Sequence, residues 1–159
     1  MGWTIRRIVS GGQTGVDRAA LDWALQSGID CGGWCPAGRL AEDGPIPDLY
    51  PLSETPSAAY AQRTEWNVRD SDGTLIFSVS PNLIGGTKLT RDFARTWNRP
   101  CLTLSRTESK NPDPLLLSFL DEYRIETLNV AGPRESTEPG AGEFAREILE
   151  SGRIQAEGN

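Results

Sequence analysis

Short apolar runs alternate with amphipathic segments along the chain. Residues 5–9 read as a strand that breaks off at Ser10-Gly11-Gly12-Gln13-Thr14-Gly15. Val16, Ala19, Ala20, Trp23 and Ala24 then recur at helical spacing. Thr14 and Asp17 resemble a capping box, and Gly28 stands where a C-terminal cap belongs. Residues 29–34 read as a second strand weakened by Gly32 and Gly33, and residues 36–56 hold five prolines and read as a long ordered loop. A helix over 57–69 precedes the run Thr74-Leu75-Ile76-Phe77-Ser78-Val79, continuous enough for a strand covered on both faces. After Gly85-Gly86-Thr87, Leu89, Phe93, Ala94 and Trp97 mark another helix. Residues 101–104 and 128–131 read as strands and 115–123 as a helix. A closing helix carries Phe144, Ala145, Ile148 and Leu149, ahead of a polar tail over 153–159 that is expected to fray.

Five strands separated by helices predict an α/β domain over residues 1–152, a mostly parallel five-stranded sheet with helices on both faces. Three strands run into glycine-bearing loops, at Gly11-Gly12, Gly85-Gly86 and Gly132, which must share one edge of the sheet. Ligands of such sheets bind beyond that edge, at the topological switch point. With the strand order 2-1-3-4-5, the first two loops flank it. Glycine admits a ligand close to the backbone, and a helix N-terminus offers unpaired N–H groups. One such loop is more simply a tight turn, and the first matches neither a Walker A loop nor GxGxxG. Three converging loops favour a phosphate-bearing ligand.

Charge sharpens this picture. The chain has 22 acidic and 16 basic residues, a formal charge of −6, which disfavours a nucleic-acid polymer as partner. Of the basic residues 14 are Arg, the bidentate choice for phosphate, although a GC-rich coding sequence is the simpler account of that bias. There is no histidine, so Ser–His–Asp triads, Cys–His pairs and histidine metal ligands are excluded. Cys31, Cys35 and Cys101 form neither paired CxxC motifs nor an even set, so no disulfide framework or metal site is expected. Cys31 and Cys35 have the soft chemistry of thiophilic-metal ligands but read more simply as buried structural residues. No apolar stretch is long enough to cross a membrane and no signal peptide opens the chain, so the cytoplasm is the expected location.

The candidate ligand-binding residues are therefore Gly11, Gly12, Gln13, Thr14, Arg18, Gly85, Gly86, Thr87, Arg134 and Ser136, with Arg134 the leading phosphate contact. Arg39, Glu42, Asp43 and Arg63 are placed at a lid or rim. Asp17 reads as a helix cap rather than a base. Only the N-terminal part of the helix over 57–69, near Tyr60 and Arg63, is expected to reach the ligand edge.

The run from Ile8 to Ala20, Ile-Val-Ser-Gly-Gly-Gln-Thr-Gly-Val-Asp-Arg-Ala-Ala, resembles the opening of the molybdenum-carrier family. The resemblance continues through Gly33-Trp34-Cys35-Pro36, Ala41-Glu42-Asp43-Gly44, Arg63-Thr64-Glu65-Trp66-Asn67, Gly85-Gly86-Thr87 and Asn129-Val130-Ala131-Gly132-Pro133-Arg134-Glu135-Ser136. It implies a Rossmann-like three-layer domain of the SLOG superfamily, which includes lysine-decarboxylase-like (LOG) proteins that bind nucleotide-like ligands at glycine-rich loops. It further implies a homo-oligomer, dimer or tetramer, and molybdenum cofactor, a phosphorylated pterin dithiolene, as cargo. Hydrolase relatives carry Pro-Gly-Gly-x-Gly-Thr-x-x-Glu, whereas Thr90 stands at the Glu position here. A non-catalytic carrier of a small phosphorylated ligand is thus the leading expectation. The alternative is a nucleotide phosphoribohydrolase using Glu65 or Glu135.

Overall fold

A computed structural model describes residues 3–158; residues 1, 2 and 159, which the expected domain and tail boundaries take in, lie outside the described residues. Strands β1 (Arg7–Val9), β2 (Asp30–Gly32), β7 (Gly73–Ser78), β8 (Cys101–Ser105) and β9 (Thr127–Ala131) form one five-stranded sheet, every pair parallel. Between them run α1 (Val16–Ser27), α2 (Tyr60–Arg69), α3 (Gly85–Thr96), α4 (Pro112–Tyr123) and α5 (Ala141–Glu157). The remaining strands are two-residue pieces: β3 (Trp34–Cys35) pairs with β6 (Ser53–Glu54), and β4 (Leu40–Ala41) with β5 (Gly44–Pro45).

Each main element follows from its sequence. β7 is buried at all six positions, as a run without polar alternation requires in a sheet covered on both faces. α1 buries Val16, Ala20, Leu21, Trp23 and Ala24, and stops at Gly28, whose left-handed backbone lets its N–H reach the Ala24 and Leu25 carbonyls. Helices α1, α4 and α5 cover one face and α2 and α3 the other. Trp23 donates its indole N–H to Glu150 at 2.7 Å, and Phe77 meets Phe144 edge-to-face at 5.6 Å, fixing α5 against α1 and the sheet.

The strand order is β2-β1-β9-β7-β8, not the 2-1-3-4-5 arrangement considered from the sequence. The last strand enters the middle of the sheet, where Asn129 pairs in register with Val9 on one side and Thr74 on the other. Counted from β9 as first, the order becomes 3-2-1-4-5, the Rossmann order with its chain opened between strands one and two and joined between five and one. The reversal of strand order therefore falls between β9 and β7. Apolar pattern specifies a buried central strand but not its neighbours, so sequence periodicity does not distinguish the two orders.

Three local expectations change. The predicted strand over 29–34 divides at Gly33, where the chain leaves the main sheet after β2 and β3 joins β6. The Thr14–Asp17 capping box does not form; the residue before α1 is Gly15, with no side-chain cap. Residues 153–157 continue α5, and Ala156 is buried, so the expected frayed tail is helical to Glu157.

Candidate ligand site at the sheet switch point

The carboxyl ends of β9 and β7 diverge around a cavity of about 440 Å³. Its volume lies in the range of small-molecule sites, about 300–1,000 Å³. The first turn of α3, Gly85, Gly86 and Thr87, supplies one wall, and no side chain caps that helix. The first N–H groups of a helix have no intrahelical partner and stand at the positive end of its dipole. Across the cavity lie Gly132, Pro133 and Arg134 from the loop after β9. Tyr60, Arg63 and Asn67 of α2 line it from the side, so the helix reaches the ligand edge not only through its N-terminal part but as far as Asn67.

Two guanidinium groups converge on the Tyr60 ring. Arg63 Cζ lies 5.1 Å and Arg134 Cζ 5.6 Å from its centroid. Their situations differ. Arg63 is buried, donates from Nη1 to the Gly11 carbonyl at 2.7 Å, and stands 4.0 Å from the buried Asp17 carboxylate. Arg134 makes no ion pair among the described residues, so its charge is free for a ligand.

Asp17 is not a helix cap. Its Oδ2 accepts from the Gln13 N–H at 3.2 Å, ordering the loop after β1 from beneath. Burial pushes its carboxyl above the ordinary range, opposed by the Arg63 charge and by hydrogen bonds from Gln13, Ser10 and Gly11. Gln13 lines the cavity with its Nε2 unpaired, while its Oε1 accepts from the Thr14 and Glu42 N–H groups.

The glycines divide into two kinds. A Cβ at Gly132 would land 2.5 Å from Val16 Cγ2 and against the Phe77 carbonyl oxygen, so this glycine lets the loop pack on α1 and β7. A Cβ at Gly86 would meet nothing within 4 Å, so that position is open toward the cavity it lines.

The sequence-selected residues thus fall into two groups. Gly11, Gln13, Arg63, Gly85, Gly86, Thr87 and Arg134 line the cavity. Gly12, Thr14, Arg18, Ser136, Arg39, Glu42 and Asp43 do not. Gly12 lies beneath Leu52 and Ile46 of the 36–56 segment. Arg39 organises that segment, donating to the carbonyls of Leu52, Pro47 and Tyr50. Arg18 forms a bidentate pair with Asp43, at 2.5 and 2.8 Å. The candidate bases also stand apart from the cavity: Glu65 accepts from the Trp97 indole at 3.1 Å, and Glu135 lines a shallow depression beside α1. Thr90 lines the cavity, and its hydroxyl donates to the Gly86 carbonyl at 2.9 Å.

Two further residues complete the site. Glu138 accepts from the Val79 N–H at 2.7 Å and ties the loop after β9 to the loop after β7. Asn129, buried in the central strand, donates to Thr74 Oγ1 at 3.2 Å and lines the cavity. An amide inside the apolar run Leu128-Asn129-Val130 is a legible signal; Glu138, 59 residues from its partner, carries none.

The fold is an α/β domain of Rossmann type whose strand order is circularly permuted, with a cavity at its switch point. The chain belongs to the circularly permutated YpsA SLOG family, whose model matches residues 8–152. It is similar to a crystal structure from Syntrophus aciditrophicus SB, of a protein provisionally named a molybdenum carrier protein. That similarity has 46% identity and a TM-score of 0.88, covering 92% of this chain and 94% of the other. No curated protein matches the chain. Among the described residues no helix is long and apolar enough to cross a membrane.

Proposed function

We propose that this chain is a carrier that holds a small phosphorylated ligand, molybdenum cofactor or a nucleotide-like molecule, in the crevice between β9 and β7. The observation that carries the reading is the unpaired Arg134 guanidinium facing the uncapped first turn of α3 across one cavity. An anionic group there receives backbone N–H donors, the helix dipole and a charged side chain together. Tyr60 offers an aromatic face for a ring system beside the anion.

The residues fit a cargo held by its organic part. Among the described residues no cluster of His, Cys, Asp or Glu forms a metal site, and no cysteine lines the cavity. Cys31 and Cys35 are buried, and burial raises both thiols, which keeps them from serving as thiolates. The soft end of a dithiolene cofactor would therefore receive no sulfur ligand from these residues. Recognition would rest on the phosphate and the ring. Thr90, bonded to its own helix, offers no carboxylate for glycosidic hydrolysis.

Equilibrium titration with isolated molybdenum cofactor and with nucleoside monophosphates tests this. Saturable binding is expected for at least one of them. Arg134→Ala should weaken it about tenfold to a hundredfold, the loss of one charge-assisted contact. Undiminished affinity in that variant would remove Arg134, and the proposed anion seat, from the account.

A further inference from the structure

Next to the cavity, at the surface, one carboxylate gathers three hydrogen bonds from two different loops. The Thr14 hydroxyl, in the loop after β1, donates to Glu42 Oε2. Ser136, in the loop after β9, donates its N–H to the same oxygen at 3.3 Å and its hydroxyl to Oε1. Thr14 Oγ1 in turn accepts from the Glu135 N–H at 3.1 Å, which leaves its single proton directed at Glu42. The Ser136 and Thr14 hydrogen bonds above all, with a smaller contribution from the Arg134 charge, hold the Glu42 carboxyl below the ordinary glutamate range.

Glu42 arrives from the 36–56 segment, not from either loop. Its backbone N–H is pinned to Gln13 Oε1 at 2.9 Å, and the neighbouring Asp43 is held by Arg18, so the backbone at this point is anchored independently of the carboxylate. The side chain itself is exposed. It can swing out by rotamer change while Ile46 and Tyr50 of the same segment stay buried. The donors left behind, two hydroxyls and a backbone N–H within the field of the Arg134 charge, are the set that receives a phosphate group.

We propose that Thr14, Ser136 and Arg134 form a second, surface oxyanion site for phosphate, free or as a monoester, and that Glu42 is its intramolecular competitor. A tethered carboxylate competes at an effective concentration on the order of millimolar, so it sets the anion concentration at which the site fills. Arg134 is shared with the cavity, whereas Thr14, Glu42 and Ser136 do not line it, so a titration that varies only Thr14 and Glu42 reads this site separately from the cavity.

The test is a titration of wild type, Glu42→Gln and Glu42→Ala with inorganic phosphate, following the Ser136 backbone amide by NMR. Glu42→Ala is expected to bind phosphate at least tenfold more tightly than wild type, with Glu42→Gln between them. Adding Thr14→Val to Glu42→Ala should abolish the gain. A parallel arm with glycerol phosphate assigns the site to the free ion if only inorganic phosphate gains, and to a monoester if both do. Equal affinity of wild type and Glu42→Ala for both probes would overturn the proposal. So would a gain that survives Thr14→Val.

Discussion

Glu42, Asp43 and Asp17 show how similar carboxylates acquire opposite consequences from their surroundings. Hydrogen bonds from Ser136 and Thr14 lower the Glu42 carboxyl, and the Arg18 pair lowers Asp43. For a carboxyl lowered by folding, the stabilising contribution is complete above its ordinary value and is lost as pH falls through the lowered one. Asp17 has the reverse sign: its folded value is raised mainly by burial, so its cost grows as pH rises toward that value. The Ser136 amide resonance should therefore titrate with a midpoint below 4.5, the ordinary value for glutamate, and the step should vanish in Glu42→Gln. A midpoint at or above 4.5 would mean that Glu42 is not held by these donors in solution. Glu42 and Asp43 were legible as charged rim residues. Their partners were not, because Ser136 lies 94 residues from Glu42 and Arg18 lies 25 from Asp43.

At the scale of elements, periodicity located the five main strands and the helices between them. It found the Gly28 cap because a left-handed turn there needs a residue without a side chain. It could not order the strands. β7 and β9 are both short apolar runs, and nothing in either states which neighbour it pairs with. The glycine loops divided for a similar reason. A glycine that receives a ligand and one that receives a packed carbonyl look identical in sequence, and only the placement of Gly132 against Phe77 separates them. Gly132→Ala should cost roughly 2–3 kcal/mol of stability, as overpacking against backbone does. Gly86→Ala should leave thermal stability near that of wild type while weakening ligand binding, because its methyl group points into open space. Paired thermal melts and ligand titrations check both. Equal destabilisation by the two substitutions would contradict the division.

For the whole molecule, the permuted order explains why the loop carrying Arg134 comes last in sequence yet borders the switch point. In the Rossmann order, β9 is the first strand, and the loop after it is the one that meets the phosphate. Trp3 packs beside Gly152 of α5 and edge-on to Trp23 at 5.9 Å, so the two ends of the described chain converge on one face. A rearranged chain that begins at Arg124, ends at Tyr123 and joins residue 158 to residue 3 by a short glycine–serine linker should fold to the same sheet. It should retain ligand affinity within about tenfold, since circular permutation is tolerated where termini lie close together at the surface. Loss of cooperative unfolding in that chain would show that the present order of synthesis is itself required. The chain has no histidine, and Glu65 and Glu135 lie outside the lining of the cavity, whose carboxylates are those of Asp17 and Glu138. The proposed carrier role asks only that this site hold a ligand by charge and backbone donors.

Native mass spectrometry of the protein tests that central claim most directly. As purified, or after incubation with isolated molybdenum cofactor, the wild-type chain should carry a mass excess matching a small phosphorylated organic molecule, and Arg134→Ala should lose it. The bare chain mass under both conditions, or an excess that Arg134→Ala retains in full, would contradict the account.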